Sequence, residues 1–310
     1  MSENTAQPSQ IIDVQPDYEV LVIGTGVSGI YQIKRLADLG VRFTVLEAND
    51  DLGGTWYNNR YPGARFDSES FTYGYSFSRE VLDEWHWSEQ FSPQPETLRY
   101  LNFVVDKFEL RQYMQFGCRV EAMVFDEDSD TWTLTLSNGR SISTRFVITA
   151  LGILSTPTEP QFDGKDSFTG PSFHSFNWPH DPIDLTGKRV AVIGTGATAI
   201  QLIPEVAKVA SQLTVFQRRP NWAAPLNNAP VTEGEMATIR ARYDEIFAAC
   251  DSSPGGFEHR PDRRGFYNVT REERLALWDR LYDEPGFGIW LQNFIEIFMD
   301  EKANAEFSDY

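Results

Sequence analysis

The sequence predicts an α/β chain with two Rossmann-like dinucleotide-binding folds and a helical insertion. Two glycine-rich turns carry that prediction, because each follows an apolar strand, opens a helix, and is succeeded by a second strand. Between them, alternating apolar and polar residues predict a β-meander.

The first turn is Gly24-Thr25-Gly26-Val27-Ser28-Gly29. Tyr18 to Ile23 reads as a buried strand, Ile30, Ile33 and Leu36 share one face of the next helix, and Gly40 closes it. Gly24 permits the tight turn, and Gly26 lets backbone N–H groups approach a pyrophosphate. Gly29 allows close packing at the helix N-terminus, where the dipole favours an anion. A second strand, Val41 to Leu46, ends in Glu47, whose carboxylate is placed to accept hydrogen bonds from ribose hydroxyls. The alternative is a glycine turn in an ordinary α/β domain; strand, helix, second strand and terminal acid in succession favour the nucleotide site.

A net charge of -18 and a pI near 4.6 argue against nucleic-acid partners, since such a surface repels phosphate backbones. Cys118 and Cys250 are the only cysteines and form no C-x-x-C pair, so they read as packed thiols. The polar first seventeen residues lack the order of a signal peptide, and no apolar run reaches membrane-span length. A soluble, cytoplasmic protein with no membrane partner is the expectation.

After Glu47 come Gly53-Gly54-Thr55-Trp56 and Tyr61-Pro62-Gly63-Ala64-Arg65-Phe66-Asp67, a loop rich in glycine and aromatics. The paired glycines would let backbone approach a flat ring, and the Pro62-Gly63 turn would aim Arg65 and Asp67 into one cavity. The alternative for Asp67 is a loop carboxylate paired with Arg65. Residues 68–94 are dense in aromatics and read as irregular structure, either covering a pocket or forming core. Pro95 to Leu110 has helical spacing, with Leu98, Leu101, Val105 and Phe108 as its buried stripe. The meander follows from Arg119 to Thr149. Its last strand, beginning at Phe146, leads into Ala150-Leu151-Gly152, a turn that would return the chain beside the first glycine loop. Thr156 to Pro160 reads as a linker.

The second fold starts at Lys188, with Arg189 to Ile193 as strand, Gly194-Thr195-Gly196-Ala197-Thr198-Ala199 as the turn, and Ile200 to Ala210 as a helix bent at Pro204. Its next strand, Leu213 to Phe216, ends in Gln217-Arg218-Arg219, so Gln217 takes the place that Glu47 holds in the first fold. Losing the acid and gaining two arginines is the pattern for a ribose 2′-phosphate, hence NADP(H) rather than NAD(H). A pair of surface arginines is the alternative. Beyond Thr232 three helices are expected, Glu233–Ala249, Arg271–Tyr282 and Gly288–Met299, and Glu301 to Tyr310 shows no cap or stop signal. Two strands are too few for a parallel nucleotide-binding sheet, so the chain reads as the front of a longer one, its C-terminal part missing.

Two such folds in one chain resemble the FAD- and NADPH-dependent monooxygenases. Phe168-Thr169-Gly170-Pro171-Ser172-Phe173-His174-Ser175-Phe176-Asn177-Trp178-Pro179 matches the F-x-G-x-x-x-H-x-x-x-W-P fingerprint of type I Baeyer-Villiger monooxygenases at every fixed position. Gly53 through Asp67 meets a second signature of that family, G-G-x-W-x-x-x-x-Y-P-G-x-x-x-D, and Tyr73 to Ser78 is similar to the phenylacetone and steroid monooxygenase branch. The related N- and S-oxygenating enzymes differ where this chain has Trp178-Pro179.

The resemblance implies a FAD-binding part over 1–152, an NADP-binding part over 153–227 and an incomplete helical subdomain over 228–310. It implies that Gly24, Gly26, Ser28, Gly29 and Glu47 hold the ADP moiety of FAD, that Thr55, Trp56, Asp67 and Tyr73 line the flavin, and that Val120 lies near the adenine. Thr195, Gly196, Ala197, Thr198 and Gln201 would face the NADPH pyrophosphate, and Arg218 and Arg219 its 2′-phosphate. The implied reaction is reduction of FAD by NADPH, addition of O2 at the flavin C4a position, and attack of the peroxide on a ketone to give an ester or lactone. Asp67 matches the aspartate that orients a peroxide-stabilising arginine; nothing in this sequence matches the arginine, so the chain alone is expected to be impaired. His174 and Trp178 fit a hinge role better than acid–base chemistry. N- or S-oxygenation, and a non-catalytic nucleotide-binding fragment, are the competing readings.

Overall fold

The computed structural model describes residues 15–310, so the reading of the polar N-terminal stretch falls outside the described residues for positions 1–14. In chain order the elements are β1 (Tyr18–Ile23), α1 (Val27–Asp38), β2 (Phe43–Leu46), α2 (Thr55–Asn58), α3 (Ser70–Tyr73), α4 (Arg79–Glu84), α5 (Gln94–Lys107), β3 (Met114–Gln115), β4 (Val120–Asp126), β5 (Thr131–Leu136) and β6 (Ser141–Thr149). There follow β7 (Arg189–Ile193), α6 (Ala197–Ala207), β8 (Gln212–Phe216), α7 (Glu233–Asp251), α8 (Arg271–Asp283), α9 (Gly288–Leu291) and α10 (Glu301–Asp309), with short 3-10 turns between several of them. The chain divides into two compact units: residues up to Arg60 with Leu98–Trp178, and Tyr61–Thr97 with Pro179–Tyr310.

In the first unit six strands lie in the order β3-β2-β1-β6-β5-β4. β2 and β6 flank β1 and both run parallel to it, while β4, β5 and β6 form the antiparallel meander. The inner end of β1 and all of β2 are buried, as expected of parallel strands covered on both faces. α1 buries Gly29, Ile30, Ile33 and Leu36, the stripe read from the sequence. β6 ends where it was expected to: the Ala150 N–H donates to the Ile23 carbonyl at 2.9 Å, bringing the small-residue turn beside Gly24. α5 differs in detail, for Tyr100, Leu101, Val104 and Val105 are fully buried, whereas Leu98 and Phe108 are half-buried. Cys118 is a free thiol in the core formed by Leu21, Leu46, Leu134 and Ile142.

In the second unit β7 and β8 pair in parallel and α6 connects them, continuing through Pro204. The aromatic stretch is part core and part surface: Tyr75, Trp87 and Phe91 are buried, Phe71, Tyr73, Phe77 and Trp85 are half-buried, and the short helices α3 and α4 interrupt otherwise irregular structure. α7 and α8 open with capping boxes, Thr232 with Glu235 and Thr270 with Glu273, each satisfying two backbone donors. Phe266, Trp278, Leu281, Ile289, Phe294 and Ala303 form a core that joins α8 to α9 and α10.

Two expectations for the C-terminal region are corrected. The helix expected over Gly288–Met299 stops at Leu291, because Asn293 turns its amide inward. Its Oδ1 accepts from the Trp278 indole N–H at 3.0 Å and from the Phe294 N–H at 2.8 Å, a local bond that competes with helix continuation. The last segment does have a cap: Asp300 accepts from the N–H groups of Lys302 and Ala303 and starts α10.

A half-buried ion pair joins the beginning of α3 to the segment after α7. His259 Nε2 lies 2.7 Å from Glu69 Oε1, and its Nδ1 faces the Gln292 amide at 3.2 Å. The Glu69 carboxylate holds the imidazole above its ordinary value of 6.5, against burial, with Glu258 and Glu284 acting in the same direction. A raised histidine value adds stability that is complete below the unfolded value and lost as pH rises through the folded one. Chemical-denaturation midpoints should therefore fall as pH rises above 6.5, and Glu69→Gln should flatten that slope. A second expectation concerns Asn293: Asn293→Ala leaves two buried donors unpaired and should lower stability by about 2 kcal/mol in urea titrations.

Candidate functional site

The first glycine loop is built by backbone pressed against backbone. Gly24 sits at φ +103°, its N–H donates to the Leu46 carbonyl at 2.8 Å, and a Cβ there would lie 2.7 Å from the Ala150 oxygen. A Cβ on Gly29 would stand 2.0 Å from the Gly24 carbonyl oxygen, so helix and turn can meet only if residue 29 lacks a side chain. Gly54, at φ +54°, brings a second loop onto the first: a Cβ there would lie 2.8 Å from the Gly26 Cα, and the Gly53 N–H donates to the Thr25 carbonyl at 3.1 Å. The paired glycines thus stack on the first glycine loop. They place Thr55, which is exposed, and Trp56, which is buried, directly after that contact.

Glu47 is buried, at 5% exposure, and its carboxylate ties the loop to the end of β2. Oε2 accepts from the Thr25 N–H at 2.9 Å and the Thr25 hydroxyl at 2.7 Å; Oε1 accepts from the Asn49 N–H at 2.9 Å and its side-chain amide at 2.8 Å. Val120 stands close in sequence to Cys118, whose N–H donates to the Glu47 carbonyl at 2.7 Å, so the base of β4 reaches the same end of β2. Ser28 is exposed in the first turn of α1. That helix begins at Gly26 with no capping side chain and no acidic residue in its first turn, whereas α7, α8 and α10 carry both. Its positive end is left for an outside anion.

The second unit repeats the design. The Gly194 N–H, with Gly194 at φ +105°, donates to the Phe216 carbonyl at 2.9 Å. Gln217 reaches the Thr195 hydroxyl at 3.1 Å, over the same 22-residue separation that joins Glu47 to Thr25. The polarity is reversed: the carboxylate accepts from Thr25, while the Gln217 amide donates to Thr195. The Asn221 amide also holds the Thr195 carbonyl, at 2.7 Å. α6 starts at Gly196, again without a capping side chain or first-turn acid, and Ala197, Thr198 and a buried Ala199 follow. Arg218 and Arg219 are both exposed just beyond β8.

Also in the second unit, the Tyr61–Asp67 loop folds onto α6. Gly63, at φ +84°, presses so close that a Cβ would lie 2.4 Å from the Gln201 carbonyl oxygen. Asp67 Oδ1 accepts from the Gln201 amide at 3.1 Å. Arg65 turns elsewhere, donating to Glu89 at 2.8 Å and to the Phe91 carbonyl at 3.1 Å, so the structure forms Arg65–Glu89 in place of an Arg65–Asp67 pair. Burial raises the Asp67 carboxyl above its ordinary value, and the Gln201 hydrogen bond works against that rise. Tyr73 stacks on Phe66 with ring centroids 4.4 Å apart. Thr25, Asn49, Tyr61 and Asn221 are site residues that the sequence reading passed over; the threonine between the first two glycines of both turns was the available signal.

In the fingerprint segment His174 Nδ1 accepts from the Phe176 N–H at 3.1 Å, and Phe173 meets Trp178 edge-on at 4.9 Å. The chain passes between the two units at three places, after Arg60, Thr97 and Trp178. Among the described residues no helix is long and apolar enough to cross a membrane, and no group of His, Cys, Asp and Glu is arranged to hold a metal ion.

The family model described as flavin-binding monooxygenase-like matches residues 17–229. The chain is 43% identical over 301 residues to the 2-oxo-Δ3-4,5,5-trimethylcyclopentenylacetyl-CoA monooxygenase of Pseudomonas putida, covering 95% of this chain and 55% of that enzyme. It is 39% identical to the acetone monooxygenase (methyl acetate-forming) of Gordonia sp. strain TY-5, over 94% of this chain and 55% of the relative. It is also 38% identical to the phenazine N-monooxygenase PhzNO1 of Lysobacter antibioticus, over 94% and 54%. Among solved structures, OTEMO in complex with FAD and NADP superimposes with a TM-score of 0.92 at 43% identity, over 95% of this chain and 56% of that one. The chain therefore spans about half the length of the curated relatives it matches. With the match covering both glycine loops and the fingerprint between them, the chain belongs to the flavin-binding monooxygenase-like family.

Proposed function

We propose that the whole protein is a Baeyer-Villiger monooxygenase, using FAD and NADPH to insert one oxygen of O2 beside a small-molecule ketone carbonyl and form an ester or lactone. The observation that carries this reading is the duplicated loop register, with Glu47 against Thr25 in one copy and Gln217 against Thr195, followed by two arginines, in the other. The first copy suits a dinucleotide whose ribose carries free hydroxyls, and the second one whose ribose carries a phosphate. Similarity to the acetone monooxygenase and to OTEMO with FAD and NADP supports the same assignment.

The residues fit the cofactors. Gly24, Gly26, Ser28 and Gly29 would hold the FAD pyrophosphate at the uncapped start of α1, with Glu47 on the ribose and Val120 toward the adenine. All four lone-pair positions of Glu47 are taken by Thr25 and Asn49, so a ribose hydroxyl would replace one of the Asn49 donors. Thr55, Trp56 and Tyr73 would shape the flavin surroundings. Thr195, Gly196, Ala197 and Thr198 would hold the NADPH pyrophosphate, with Gln201 one turn on and Arg218 and Arg219 at the 2′-phosphate. Bound FAD and NADPH supply the redox chemistry. Asp67, half-buried and bonded to a neutral amide instead of a guanidinium, has no cationic partner among the described residues already holding it, and we assign it that orienting role. We assign the fingerprint around His174 and Trp178 a hinge role, since one of the chain's three passages between the units follows Trp178.

The domain limits 1–152, 153–227 and 228–310 remain our assignment for the FAD-binding, NADP-binding and helical parts. Two buried free thiols suit a reducing cytoplasm, and the charge of -18 disfavours nucleic acid and anionic lipid surfaces. The chain spans about half the length of the curated relatives it matches, so this activity is proposed for the whole protein. N-oxygenation is a second reading, favoured by the phenazine N-monooxygenase relative.

Purified protein reconstituted with FAD should show a flavin spectrum that bleaches with anaerobic NADPH. A protein that takes up no flavin would overturn the first-loop assignment. Aerobic incubation should then convert a ketone to its ester, whereas oxidation of aromatic amines alone would select the second reading. Replacing Arg218 and Arg219 by alanine should weaken NADPH binding by roughly tenfold to a hundredfold while leaving NADH binding unchanged. An unaltered NADPH-to-NADH ratio would reject the second-loop assignment.

A further inference from the structure

Gln201 lies on α6 one turn beyond the second glycine loop, and its side chain is fully committed to the Tyr61–Asp67 loop. Oε1 accepts from the Tyr61 hydroxyl at 2.8 Å and from the Arg65 N–H at 3.4 Å. Nε2 donates to the Arg65 carbonyl at 2.9 Å and to Asp67 Oδ1 at 3.1 Å. A primary amide has two lone pairs and two N–H donors, so these contacts exhaust it. Its backbone is engaged as well, through the contact that forces residue 63 to be glycine.

We propose that Gln201 is a positioning residue that fixes the Asp67 carboxylate to the helix carrying the second glycine loop, with the Gly63 contact and the Tyr61–Gln201 bond as its supports. The inference deepens the reading of Asp67 given above and rests on it. The geometry is specific: of the loop's three anchors, only Gln201 reaches the carboxylate itself, while Tyr61 and Arg65 bond to the same amide and hold it in one orientation. The other charged groups around the loop are engaged elsewhere. Arg65 pairs with Glu89, and Glu205, whose side chain lies 3.0 Å from a Gly63 Cβ position, pairs with Lys208 at 2.7 Å. Asp67 thus takes its hydrogen bond from a neutral donor, so its ionisation is sensitive to that donor. Burial favours the protonated acid, and Gln201 favours the carboxylate.

The test is the titration of Asp67, followed by the 13C shift of its carboxyl carbon in the FAD-reconstituted protein, alongside NADP+ binding. Gln201→Glu keeps the acceptor for Tyr61 and Arg65 but replaces the donor with a second carboxylate. It should raise the Asp67 midpoint by about one pH unit or more. Gln201→Leu removes the donor without adding charge and should raise the midpoint by less. Asp67→Asn combined with Gln201→Glu reverses donor and acceptor and should restore the wild-type near-ultraviolet signal if Gln201→Glu alone disturbs it. An Asp67 midpoint unmoved in a folded Gln201→Leu protein would overturn the proposal, as would a loss of NADP+ affinity with the titration unchanged, which would make Gln201 a cofactor contact instead. Failure of the wild-type protein to bind NADP+, with the Asp67 titration still shifted by Gln201→Leu, would count against the second-loop assignment and leave the positioning role supported.

Discussion

The closeness of backbone to backbone at the first glycine loop is the constraint on which the first unit depends. Gly29 meets the Gly24 carbonyl, Gly54 meets Gly26, and Gly24 meets Ala150, all at separations that exclude a Cβ. Those contacts fix three segments that are distant in sequence: the β1–α1 turn, the loop after β2 and the end of β6. Glu47 then locks the arrangement from beneath, since its carboxylate is satisfied by Thr25 on one side and Asn49 on the other. With every lone-pair position hydrogen-bonded, the buried carboxylate is held in one place.

The two loops differ in ways that follow from one atom's change in polarity. Where the first unit has a carboxylate accepting from a threonine hydroxyl, the second has an amide donating to one. The geometry survives because Glu and Gln are nearly isosteric, yet the local charge changes by one and two arginines follow. A shared scaffold can in this way be turned toward ligands of opposite electrostatic demand without altering strand register, which is the same in both sheets: Ile23 opposite Leu46, and Ile193 opposite Phe216.

Much of this was legible in the sequence because it is local. Strand–glycine–helix successions, the period of α1 and the alternation of the meander are short-range patterns, and β6 returned to the predicted place because its apolar run matched the buried strand beside it. What escaped depended on contacts between distant residues. Asp67 and Gln201 are 134 positions apart, and no spacing rule joins them. Arg65 and Asp67, close in sequence, looked like partners but diverge, since Glu89 offers the guanidinium a charged acceptor. The broken helix after Leu291 turned on Asn293 meeting Trp278, again a tertiary contact overriding helical periodicity. The missed Asp300 cap is different in kind: Asp followed by Glu301-Lys302-Ala303 was there to be read as a helix start.

The net charge of -18 has a consequence for how copies of the chain meet in solution. At low ionic strength it keeps them apart, and at 0.1 M salt it is screened beyond about 10 Å. Approach between copies is therefore slowest in dilute buffer, and salt sets the range at which repulsion is felt.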